Sequence, residues 1–336
     1  MRLNDPTIPL CSLITAIERN LQVRENTGLQ KPHIHAIAEL VACILDTQSV
    51  NTCVLKHVLP RQHTSDHARE KFIHRVLKNP LIQPQRVMGS YGAELLTLLC
   101  QQGETAILML DQSKLVEGFE CLMLSIRVGE RALPWLWQVV ETGGSIGFDV
   151  QEALLNEALN HLPKSHDVVL MGDRFYGTSA LINWCQQVNS GYRLRLKRNL
   201  QLTHAGGLLV SGDLLSQGLA FIEGVELGSV VTNIGVIQDA GHAEPWIIAM
   251  DVKPTRARVL DYGMRWGIES LFSDLKSRGF DVCSSHLRHA DRLSRLLLVV
   301  SIGLYWCVSL GAESKASSTT EKKEVSVHAL PKAYAF

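Results

Sequence analysis

The sequence lacks net charge: 33 Lys and Arg offset 33 Asp and Glu over 336 residues. That average weighs slightly against a nucleic-acid partner, which usually demands a basic face. No CxxC pair occurs among the eight cysteines, which sit mainly in apolar segments. Buried free thiols in a reducing compartment are therefore the expectation. The N-terminus, MRLNDPTIPL, has no charged region followed by a long apolar run, so no signal peptide is expected. The most apolar window, LLLVVSIGLYWCVSL at 296–310, is short for a membrane span and carries two serines and a glycine. It reads as a buried helix. Together these absences predict a cytoplasmic protein with no membrane partner. Internal repeats are lacking too, and the 46% hydrophobic, 20% charged composition excludes a disordered or fibrous chain. The length suffices for one large domain or two modest ones.

Charge is present, but unevenly placed. Residues 51–90 carry Lys56, Arg61, Arg69, Lys71, Arg75, Lys78 and Arg86 against only Asp66 and Glu70. Residues 101–160 carry nine acids against Lys114, Arg127 and Arg131. Opposite-sign blocks in one neutral chain suggest a polyanion-binding lobe beside a cation-binding one.

Periodicity divides the chain. Residues 33–59 show helical spacing of Ile37, Leu40, Val41, Ile44 and Leu45, broken at DTQS. HAREKFIHRVLKNP adds a basic helix stopped by Pro80. Short-linked helices with a basic last member fit a DNA-binding helical domain, and equally a plain bundle. From residue 105 the pattern changes to strands at 105–110, 120–128 and 131–141, with Pro134 marking an edge or bulge. A helix at 149–162, a strand at 167–172, a helix from 177 and an alternating strand at 192–199 complete a mixed α/β sheet. Residues 200–250 are glycine-rich and β-like, including two strands joined by a DAGH turn. After residue 311 periodicity disappears, which predicts a mobile tail.

Two aspartates follow apolar strands, Asp111 in LMLD and Asp173 in LMGD. If those strands are neighbours, the carboxylates converge, repel, and call for a hard divalent cation. Taken singly, such aspartates are more often turn formers or helix caps. A third acid comes from YGMRWGIESLFSDLK at 262–276. At about 100° per residue, Tyr262, Arg265, Glu269 and Lys276 share one stripe opposite Met264, Ile268, Leu271 and Leu275. A solvated face with an Arg265–Glu269 pair would explain the charges but not the tyrosine. Three carboxylates from two strands and a helix can hold two divalent ions about 3.5–4 Å apart, the arrangement that cleaves phosphodiesters. Arg265, Lys276 and the Tyr262 hydroxyl would then face the DNA backbone. Alternation of YRLRLKRN places Arg193, Arg195 and Lys197 on one face.

The spacing of Tyr262, Arg265, Glu269 and Lys276 resembles the Y-(2)-R-(3)-E-(6)-K signature of a large group of bacterial insertion-sequence transposases. Asp111 in MLDQSK and Asp173 in MGDRFYGT resemble the first two acids of their DDE triad, and Glu269 the third. The matching pieces span roughly residues 30–310. The resemblance implies a ribonuclease-H-like core over 101–310 with a β-rich insertion at about 200–250, preceded by an all-helical, end-recognising domain over 1–100. Residues 311–336 have no counterpart. It also implies Mg²⁺-dependent cleavage at transposon ends, with Mn²⁺ as a substitute, and strand transfer into target DNA by a dimer on DNA. Catalysis and metal binding would fall to Asp111, Asp173 and Glu269. DNA contacts would fall to Tyr262, Arg265, Lys276, Arg174, Arg193, Arg195 and Lys197. Trp246 could stack on a displaced base, or simply pack in the core. The rival readings are a ribonuclease-H-type nuclease that only cuts and an inactive end-binding repressor. A metal-free two-carboxylate glycosidase is disfavoured by the bases around Glu269.

Overall fold

The computed structural model describes residues 9–61, 63–163, 167–238, 245–276 and 278–320. The chain opens with five helices: α1 (Leu10–Gln22), α2 (Lys31–Thr47), α3 (Thr52–Val58), α4 (Asp66–Lys78) and α5 (Pro84–Gln101). Their starts are written locally. Pro32 occupies the first turn of α2, where its missing N–H has no helical partner to lose. Asn51 Oδ1 accepts from the Cys53 N–H at the head of α3, and Ser65 Oγ from that of Ala68 at the head of α4. α4 buries Phe72, Ile73, Val76 and Leu77 and leaves Lys71, Arg75 and Lys78 exposed.

Strands follow: β1 (Ala106–Val116), β2 (Phe119–Val128) and β3 (Arg131–Glu141). Next come α6 (Phe148–Leu159), β4 (Val168–Gly172), α7 (Ser179–Gln187) and β5 (Gly191–Arg195). The expected β-rich stretch holds β6 (Gln201–His204), β7 (Gly207–Val210), β8 (Leu219–Leu227), β9 (Val230–Ile237) and β10 (Trp246–Met250). Among the described residues, these ten strands form one mixed sheet in the order β3-β2-β1-β4-β5-β10-β9-β8-β6-β7. The first three make an antiparallel meander, while β1, β4 and β5 run parallel. The fold is therefore mixed α/β. The β-rich stretch does not fold apart, because β10 pairs antiparallel with β5 and prolongs the same sheet. Its DAGH turn lies outside the described residues. β3 is one edge of the sheet, and its register slips beside Pro134, both settings that tolerate a residue without an N–H.

After the sheet come α8 (Arg256–Leu260), a 3-10 turn over Asp261–Trp266, α9 (Gly267–Leu275) and α10 (Ala290–Thr320). α10 packs against α2, α4, α5 and β3. It is long and apolar enough to cross a membrane, but most of its apolar stretch is buried inside the protein. It also continues to Thr320, past the point where apolar periodicity ends. A helix anchored by packing extends at one hydrogen bond per residue fixed, without needing further apolar side chains. Residues 321–336 lie outside the described residues.

The helical segment and the sheet share one buried apolar core. Tyr91 of α5 meets Tyr305 of α10 edge-on at 5.1 Å between ring centroids. Gly92 of α5 lies so close to the fully buried Trp135 of β3 that a Cβ there would stand 2.0 Å from the indole Nε1. Gly92→Ala is accordingly expected to destabilise the fold by about 1–3 kcal/mol through overpacking, despite alanine's better helix propensity. Urea denaturation checks this, and a stabilised variant would contradict the packing. All eight cysteines are free. Cys43, Cys121 and Cys185 are buried as expected, whereas Cys11, Cys53 and Cys283 are exposed.

Candidate functional site

The parallel register creates the site. β1 and β4 pair as far as Leu110↔Gly172, and β4 and β5 as far as Gly172↔Leu194. One residue further, Asp111, Asp173 and Arg195 stand in one row across three neighbouring strands. Asp111 is not at a strand end, as its apolar run had suggested. β1 continues to Val116 because QSKLV keeps pairing with β2. Asp111 instead stands where pairing with β4 stops. Asp173 turns the chain: its Oδ1 accepts from the Phe175 N–H at 2.8 Å and its carbonyl from the Tyr176 N–H at 2.9 Å. The turn-forming role does not remove Asp173 from the row. Gly177 then presses the loop against β5, where a Cβ would lie 2.0 Å from the Arg195 carbonyl oxygen.

The stretch from Tyr262 to Lys276 is not one amphipathic helix. Tyr262 and Arg265 lie on the 3-10 turn, Glu269 on α9, and Lys276 just past its end. Tyr262 and Arg265 are buried rather than displayed on a solvated stripe. Alternation puts Met109, Asp111 and Ser113 on one face of β1, and the Tyr262–Lys276 stretch reaches that face. Arg265 Nη1 donates to Asp111 Oδ2 at 3.3 Å while Nη2 donates to a Glu269 carboxylate oxygen. Lys276 Nζ donates to Ser113 Oγ at 2.7 Å. The Tyr262 ring packs edge-on against Trp246, centroids 5.1 Å apart. Trp246 is thus a buried anchor for the 3-10 turn, which corrects the base-stacking expectation for it.

Asp111 carries the clearest electrostatic signature. Its pKa is raised to about 6, first by burial and then by the charge of Asp173, with a smaller push from Glu269. Arg265 and the Gln112 N–H pull the other way and do not prevail. The Tyr176 hydroxyl, buried without a hydrogen-bond partner, is pushed far up by burial and by Asp111 and Asp173. Because folded Asp111 holds its proton more tightly than the unfolded chain does, this group stabilises most below about pH 4. That contribution is lost as pH rises through about 6. In EDTA, Asp111→Asn is expected to raise stability at pH 7 by up to about 3 kcal/mol and to flatten its pH dependence between about pH 4 and 6. Denaturation curves at both pH values check this, and an equal or lower stability at pH 7 would refute it.

Among the described residues, no three Asp, Glu, His or Cys side chains stand close enough together to ligate one ion. Arg265 is the reason at Asp111 and Glu269, since its guanidinium stands between the two. The donors nevertheless suit a hard divalent cation. They are carboxylate oxygens only, the hard ligands such an ion takes, and after burial it is the charge of Asp173 that most raises the Asp111 pKa.

A cleft of about 430 Å³ opens beside Asp173, lined by Arg174, Phe175, Arg195, Lys197 and Arg198 among others. Lys197 Nζ lies 5.5 Å from the Phe175 ring centroid, and Arg195 donates to the Pro245 carbonyl at 3.3 Å. The structure thus gathers Arg174, Arg195 and Lys197, but not Arg193. That side chain is 9% exposed and bound to Asp251 through Nη1–Oδ1 at 2.6 Å. β5 ends at Arg195, so Lys197 reaches the cleft from the following loop rather than by strand alternation. Sequence reasoning missed two residues here. Arg198 follows directly on the alternating bases, and Asp251 ends the apolar run IIAM just as Asp111 and Asp173 end theirs.

Fold and site define a mixed α/β protein with a carboxylate–guanidinium centre at Asp111, Arg265 and Glu269, and a basic cleft beside Asp173. Comparison with known proteins adds no family to this: no family model matches the chain, and no curated protein matches it.

Proposed function

We propose that this chain is a DDE transposase, a metal-dependent enzyme that cleaves DNA at transposon ends and joins them to target DNA. The observation carrying the reading is the row Asp111–Asp173–Arg195, met by Glu269 through Arg265 and continued by the basic cleft. Strand order supports it as well. A meander of three antiparallel strands, flanked on the β1 side by parallel β4 and β5, is the layout of a ribonuclease-H-like core. The β-rich stretch falls between Asp173 and Glu269, where the resemblance implies an insertion.

Asp111, Asp173 and Glu269 would hold Mg²⁺ or Mn²⁺. The chemistry such an ion supplies is activation of water or a 3′-hydroxyl and neutralisation of charge on the phosphodiester. The chain's own residues have distinct tasks in this reading. Arg174, Arg195, Lys197 and Arg198 track the DNA backbone toward Asp173, contributing sequence-independent affinity. Lys276, fastened to Ser113, sets a further cation two residues along β1 from Asp111. On α4, exposed Lys71, Arg75 and Lys78 present a basic stripe for binding the transposon end. A cytoplasmic location and a dimer on DNA go with the same reading.

The test is incubation of labelled duplexes carrying the element's own ends with protein, Mg²⁺ and a target plasmid. Cleavage at the end followed by covalent joining to the plasmid is the expected result. Cleavage without joining would favour a plain nuclease, and binding without cleavage a repressor; either would sink the proposal.

A further inference from the structure

We propose that Arg265 makes divalent-metal binding and DNA binding cooperative, by occupying the carboxylate oxygens a metal needs until a backbone phosphate draws it away. This rests on the reading of Asp111 and Glu269 as metal ligands. Arg265 links one oxygen of each, and its side chain is only 7% exposed. A guanidinium and a divalent cation cannot both take those oxygens in the same geometry, so the two compete.

Two further features suit a side chain with a second position. Arg265 Nε is buried without a hydrogen-bond partner, so one edge of the guanidinium fork is left half unfilled. That edge geometry is the one that takes phosphate bidentately. The Tyr262 hydroxyl is also buried without a hydrogen-bond partner, and the Arg265 guanidinium carbon lies 5.7 Å from its ring centroid. Burial raises its pKa to about 12 despite the opposing pull of Arg265 and Arg195, so the hydroxyl keeps its proton and remains a donor. The basic cleft beside Asp173 is the approach for the anion; Tyr262 and Arg265 do not line it, so Arg265 must leave its buried position to reach a phosphate there. Moving Arg265 toward it would release Asp111 and Glu269 together.

Coupling of this kind is reciprocal: DNA must tighten the metal by the same factor by which the metal tightens DNA. The experiment is calorimetric titration of Mn²⁺ into the full chain, with and without a short random-sequence duplex, subtracting a duplex-only blank. Wild type is expected to bind Mn²⁺ about tenfold tighter with the duplex. Arg265→Gln is expected to bind about tenfold tighter without DNA, and to gain little from it. Arg265→Lys, which keeps the charge but cannot bridge two carboxylates, should fall between them. It also serves as the reporter if circular dichroism shows the glutamine variant misfolded. Equal Mn²⁺ affinity of wild type and both variants without DNA, or an equal gain from the duplex, overturns the coupling. If no protein binds Mn²⁺ in a manner abolished by Asp111→Asn or Glu269→Gln, the metal-site reading itself fails, a distinct result.

Discussion

Asp111→Ala, Asp173→Ala and Glu269→Ala are each expected to lower Mg²⁺-dependent cleavage of end-bearing duplex by more than about 10²–10³-fold, the usual cost of losing one group that stabilises transition-state charge in a shielded site. The size follows from where the three acids stand. Asp111 is held by β1, Asp173 by the turn after β4, and Glu269 by α9, whose other acid, Asp274, is engaged by Arg131 instead. Duplex binding should survive or tighten, because each substitution removes negative charge from the site, that of Asp173 from the wall of the basic cleft itself. That combination separates a catalytic defect from misfolding, which would lose both. Cleavage within a few-fold of wild type in any one variant would remove that acid from the assignment.

The second large effect concerns the cleft. Replacing Lys197 and Arg198 together by Ala is expected to weaken binding of any duplex about equally, whatever its sequence. The log–log salt dependence should become shallower by about 0.9 for each phosphate that the protein no longer neutralises. Both side chains are exposed on the loop beyond β5, so their removal leaves the buried core untouched. Arg193→Ala should behave differently. Its partner Asp251 also accepts from the Tyr192 N–H at 2.9 Å, so this change loosens the β5–β10 junction before it alters DNA affinity. Filter binding over a salt series, beside thermal denaturation, distinguishes the two. A steeper salt slope in the Lys197 and Arg198 variant would contradict the cleft as a backbone track.

Helices and strands were legible because burial acts locally. An apolar face recurring every three to four residues, or every second one, marks which side of an element meets the core. This holds for α2, α4, β2, β3 and α6, whose limits fall close to the sequence expectation. The stretch after Leu260 was read less well. Its residues satisfy helical spacing on paper, but Gly263 lies within, and Gly267 just after, a 3-10 turn whose Tyr262 ring is captured by Trp246 on β10. A long-range contact overrode local periodicity there.

The sequence alone determined the types and spacing of the candidate residues: two aspartates after apolar runs, then Tyr262, Arg265, Glu269 and Lys276 at fixed intervals. Only the tertiary structure decided their company. Strand register set Asp111, Asp173 and Arg195 in one row, and the 3-10 turn aimed Arg265 between two acids. Asp251, a third aspartate of the same local pattern, was drawn to Arg193 instead. Local spacing dictates which face a side chain takes. Its partner depends on which distant strand lies beside it, and that is settled by sheet pairing and core packing over the whole chain.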